Sequence, residues 1–165
     1  MRWLAYFILA YVAVGLQTGL SGFVDYHHNA PNFVLLAVIF IAINAPRDAA
    51  LLGCFILGAL QDLVTIRPLG LYALSYGLVA MFVISTQQIV YREHPLTHFS
   101  LALVGGLMTG FIILINDWVR HTGTSPGSLF ATAVYTAILA IFVLGLLQRA
   151  KKVFAFESPR RKLRM

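Results

Sequence analysis

Charge is what this chain has least of. Only 11% of its 165 residues are Asp, Glu, Lys or Arg, and just six of those are acidic. A soluble domain carries about 25% charged residues, so this chain cannot cover a water-facing surface. It is also poor in cysteine: Cys54 stands alone in an apolar run, which excludes an internal disulfide and leaves the redox compartment open. A catalytic constellation is missing too. There is no nucleophile elbow and no glycine-rich phosphate loop following a strand. The five histidines, at positions 27, 28, 94, 98 and 121, fall in polar connectors, and Pro95 interrupts the His94/His98 spacing that a helical metal pair would need. The expectations are no enzyme activity, no metal and no cofactor.

What is present is hydrophobicity: 59% of residues, with a mean hydropathy of +0.82. Apolar stretches with no more than one charged residue each run over Trp3–Val24, Phe33–Ala45, Ala49–Val64, Leu69–Val90, Phe99–Val119 and Leu129–Gln148. A spanning helix takes about 20 residues, which predicts an all-α membrane domain of six spans over residues 1–148 and a basic tail over 149–165. Arg2 opens a run too long, and without a clean small-x-small site, for a cleaved signal peptide, so Trp3–Val24 is read as a retained span. Arg2, Arg47, Arg92 and the tail fall on one side of such a fold, and only Arg67 and Arg120 on the other. The positive-inside bias then places both termini in the cytoplasm. The second segment is short: as a helix, Phe33 to Ile43 reaches about 16 Å against a hydrocarbon core of about 30 Å. It is either a short span closed by a Pro46-Arg47-Asp48 turn or half of a re-entrant hairpin with the third segment.

Small residues at helical spacing mark where helices approach closely in lipid. Gly15 and Gly19 form one such pair and Gly106 and Gly110 another, both expected in helix packing. Ala50, Cys54, Gly58 and Asp62 fall at steps of four and make a narrow stripe ending in an acid. An ionisable group within a span is a functional candidate by default. Asp62 is therefore either an interfacial charge paired with Arg67 or part of a polar or partner-binding site, with Ala50, Cys54, Gly58 and Arg67 as its companions. The other polar residues within spans are Gln17, Asn44, Gln61, Gln87, Gln88, Asn116 and Asp117. In the tail, seven basic residues interleave with Phe154 and Phe156, a composition suited to an anionic lipid surface and in no need of nucleic acid.

One stretch is more particular. Pro31-Asn32-Phe33, then Asn44-Ala45-Pro46-Arg47, Gly53, Gly58-Ala59-Leu60-Gln61-Asp62-Leu63 and Pro68-Leu69-Gly70 follow in order over about forty residues. This resembles the bacterial rod shape-determining MreD family, with its Pro-Asn/Asp-aromatic entry, Pro-basic turn, glycine-containing span closing in Asp-Leu, and Leu-Gly start to the next span. The resemblance implies a non-enzymatic scaffold subunit of the cell-elongation machinery in the bacterial cytoplasmic membrane. It would bind MreC and, through it, MreB and the peptidoglycan synthases of the lateral wall. The fold it implies is similar to the substrate-binding component of energy-coupling-factor transporters. That likeness supplies the alternative function, a vitamin-like small-molecule binding component of a transporter.

Overall fold

The structure, a computed structural model, describes residues 3–24, 31–65, 68–86, 95–121 and 126–149. Arg67, Gln87, Gln88, Arg92, the histidines at 27, 28 and 94 and the tail from 150 onward lie outside these residues. The described residues form six helices: α1 (Trp3–Val24), α2 (Phe33–Asn44), α3 (Arg47–Val64), α4 (Leu71–Thr86), α5 (Pro95–Val119) and α6 (Pro126–Arg149).

The short second segment turns out to be the centre of the molecule. Every α2 residue from Val34 to Asn44 is buried, and the helix touches each of the other five. Its sequence explains this, since a helix apolar on every face has no side to turn toward a polar phase. Twelve residues make only about 18 Å of helix. Length does not penalise α2 here, because both of its ends meet protein. The chain leaves α2 at Ala45 in extended conformation, and Pro46, with φ −59°, leads directly into α3. Arg47 and Asp48 at this turn are exposed, so neither charge is buried.

α3 differs from α2 in having two faces. Ala50, Gly53, Cys54, Leu57, Gly58, Gln61 and Asp62 are buried at spacings of three and four, while Leu52, Phe55 and Leu63 face outward. α4 lies against α3 and α2, and α5 pairs with α6 in antiparallel fashion. Two stretches, Leu96–Val119 and Pro126–Arg149, each 24 residues, are long and apolar enough to cross a membrane. α5 begins at Pro95 where the sequence suggested a break, because proline at the first helical position gives up an N–H that has no intrahelical partner anyway. His98, expected in a connector, is consequently a buried residue of α5 at 3% exposure.

Candidate functional site

Two polar clamps hold the centre of the bundle, each closing the N-terminus of a helix. The first is built on Asp62, at the last turn of α3. Its carboxylate accepts N–H bonds from Gly70 (2.9 Å), Tyr72 (2.9 Å) and Ala73 (3.1 Å). These donors belong to the first turn of α4 and the residue before it, where a helix leaves N–H groups unpaired and its dipole favours negative charge. The turn depends on Gly70, whose φ of +97° lies in the left-handed region that glycine enters without strain. One turn back along α3 is the glycine that allows the approach. A Cβ on Gly58 would stand 2.5 Å from Ala73 Cα and from the Tyr72 carbonyl oxygen. Backbone meets backbone there, with no side chain able to yield.

The second clamp closes α2. Asn32 is its N-cap, accepting the Leu35 N–H at 2.9 Å, a role in which asparagine is among the preferred residues. The Phe33 N–H donates to Gln17 Oε1 of α1 (2.8 Å), and the Asn32 N–H to Thr136 Oγ1 of α6 (3.0 Å). Asn32 Nδ2 donates to the Tyr76 hydroxyl of α4 at 2.9 Å, and that hydroxyl lies 3.1 Å from Asn32 Oδ1. Three neighbouring helices thus satisfy the start of the central one. Tyr76 also stacks obliquely on Tyr72, centroids 5.5 Å apart, which ties this clamp to the α4 turn held by Asp62.

The stripe of Ala50, Cys54, Gly58 and Asp62 is wholly buried. Cys54 donates to the Val38 carbonyl of α2 (3.5 Å) while Gly58 and Asp62 face α4, so the stripe forms the seam between α3 and these two helices. Arg67 lies outside the described residues, and the Asp62 carboxylate is held by backbone N–H groups of the α4 start. Gly53, one residue off the stripe, offers its carbonyl to the Tyr6 hydroxyl of α1 at 2.6 Å.

The two glycine pairs part company. A Cβ on Gly106 would stand 3.1 Å from Ala133 Cα, and one on Gly110 would stand 3.6 Å from Leu129 Cβ, both on the α5–α6 contact. Gly15 and Gly19, expected to pack, have nothing within 4 Å. The reason is that α1 sits at the edge of the bundle and buries the opposite face, Tyr6, Leu9, Ala10 and Ala13.

The stretch from Pro31 to Gly70 therefore carries both clamps and the close α3–α4 contact, and the surrounding chain supplies their partners. A family model described as rod shape-determining protein MreD matches residues 1–152. The chain belongs to the MreD family. No curated protein and no solved structure matches it. Membership makes this a membrane protein of a family concerned with rod shape, one defined by cell shape and not by a reaction. The MreD-like residues of this chain acquire physical roles in turn: Asn32 caps α2, Pro46 starts α3, Gly58 admits α4, and Asp62 with Gly70 forms the α4 turn. Tyr76 and Thr136, by contrast, have no marker in the sequence. A tyrosine or threonine inside an apolar span reads as ordinary lining until the helix end opposite it is known. Among the described residues no cluster of His, Cys, Asp or Glu could hold a metal ion.

Proposed function

We propose that this chain is a non-enzymatic, multi-pass scaffold of the bacterial cell-elongation machinery, binding MreC and through it supporting MreB-linked peptidoglycan synthesis. The family match carries the rod-shape part of this reading. What supports the scaffold part is how the polar groups between Pro31 and Gly70 are used. Asn32, the Asp62 carboxylate and the Gly53 carbonyl join helices to one another, which suits a body that holds a shape for a partner. In this reading both termini are cytoplasmic, residues 1–148 form the membrane domain, and the basic tail rests on anionic lipid, each Lys or Arg near such a surface contributing about 1 kcal/mol.

The alternative is a vitamin-like binding component with the fold of an energy-coupling-factor substrate subunit. It calls for free polar groups converging on a pocket. At the starts of α2 and α4 the chain's own Gln17, Thr136 and Asp62 already occupy the N–H groups that an anionic solute would use. Depletion in a rod-shaped host, with mild-detergent co-purification and mass spectrometry of proteins and small molecules, separates the two. The scaffold reading expects rounded cells and captured MreC. Normal rods together with a tightly held vitamin would replace it with the transporter reading.

A further inference from the structure

The outward-facing helices are not of one length. α5 and α6 each offer a 24-residue stretch long and apolar enough to cross a membrane, about 36 Å of helix. α1, with 22 residues, makes about 33 Å. Around the bundle α3 touches α1 and α4, and α4 in turn touches α5, so α3 and α4 stand between long neighbours. Both are short. α4 has 16 residues, about 24 Å. α3 has 18, but it opens on Arg47 and Asp48, both exposed, which leaves about 24 Å of apolar helix up to Val64.

Unlike α2, whose shortness is enclosed by protein, these two helices turn large apolar side chains outward: Leu52, Phe55 and Leu63 from α3, and Leu74, Leu78 and Met81 from α4. The hydrocarbon core they would face is about 30 Å thick. A helix longer than the core can lean until it fits, whereas a shorter one loses height by leaning. Nor can α3 and α4 adjust by themselves, because α4 packs against α5 as well as α3, and a lean that suits α5 and α6 lowers this flank further. The Arg47 stem can snorkel to the headgroups, but the Asp48 side chain beside it is too short to follow. A shortfall of about 6 Å is therefore left to the lipid.

We infer that the α3–α4 flank is a notch in the apolar belt at which the bilayer thins, and that it selects phospholipids with short acyl chains while the α5–α6 flank selects long ones. The partner of this surface is thus lipid of a stated length. The inference rests on the membrane reading of the fold. It does not depend on which face is cytoplasmic, since helix lengths are the same in either orientation.

The test is tryptophan quenching by brominated lipid, read separately on the two flanks of the full-length protein in phosphatidylcholine bilayers. With Trp3→Phe and Trp118→Phe in place, Phe55→Trp on α3 and Phe111→Trp on α5 each supply a single fluorophore well inside its helix, both at positions more than half exposed. Phosphatidylcholine brominated at mid-chain competes with unbrominated eighteen-carbon lipid, and the quenching gives the chain length that each flank prefers. Phe55→Trp should favour fourteen-carbon over twenty-two-carbon chains by about threefold, and Phe111→Trp the reverse. Leu52→Trp and Ile115→Trp, also exposed, repeat the comparison if either first variant does not fold. The same chain-length preference on both flanks would overturn the notch. So would quenching at Phe111→Trp with none at Phe55→Trp, since α3 would then be covered by protein. Quenching at neither position would overturn the membrane reading itself, and the inference with it.

Discussion

A carboxylate at 2% exposure inside an apolar bundle is tolerable only when its oxygens are fully used, and Asp62 uses them on three N–H donors. Asp62→Ala would strand those donors at a buried helix start, each such loss costing about 1–3 kcal/mol. The expected result is a melting temperature in detergent well below wild type, with reduced membrane abundance. Asp62→Asn should also destabilise, though less, since it replaces one accepting oxygen with an NH2 facing donors. Equal stability of Asp62→Asn and wild type would show that the cap needs no second oxygen. Glycines divide in the same way. Gly58→Ala drives a Cβ into α4 backbone and should cost about 1–3 kcal/mol by overpacking, whereas Gly15→Ala, with open space around it, should leave abundance and melting unchanged. That Asp62 matters could be read from the sequence, as an acid ending a stripe of small residues. Its partners could not, because they are backbone groups that come within reach only through the positive φ of Gly70.

At the scale of elements, α2 shows what hydropathy can and cannot locate. The run of apolar residues announces a helix, yet lipid tails are as apolar as a protein interior, so the same pattern serves a helix facing lipid and one enclosed by five others. Its shortness was the available hint: about 18 Å of helix suits a position whose ends are received by protein. Those ends are where α2 can be weakened. Asn32→Ala removes an N-cap, a change that costs about 0.5–2 kcal/mol, and Tyr76→Phe removes one hydroxyl bond, about 1 kcal/mol. Because the two residues bond each other, the double variant should lose less than the sum. Thermal melting of the four proteins measures this, and strict additivity would mean that the pair acts independently. The start of α5 teaches a related lesson. Pro95 resembles a break until it is recognised as a first helical residue, and that reassignment moves His98 from loop to core.

The molecule presents apolar side chains outward on five of its described helices, all but α2, among them Leu4, Tyr11, Leu63, Met81, Phe111 and Phe142. In water such a surface would aggregate, and in lipid it needs no cover. The proposed orientation rests on the skewed distribution of basic residues, and a C-terminal reporter active only outside the cytoplasm should stay silent. Its activity would invert the fold in the membrane. Finally, the two clamps differ in how much of the chain must exist before they can close. Asp62 finds its donors 8 to 11 residues downstream, so the α3–α4 hairpin can lock as soon as α4 leaves the ribosome. Asn32 waits for Thr136, 104 residues later. The innermost helix is thus among the first made and the last fully secured: Gln17 and Tyr76 are in place earlier, but the Asn32 N–H waits for α6. A chain ending after Val119 should keep the α3–α4 hairpin protected from protease while cleavage near Asn32 rises, giving the bundle an order of assembly that runs from its flank to its centre.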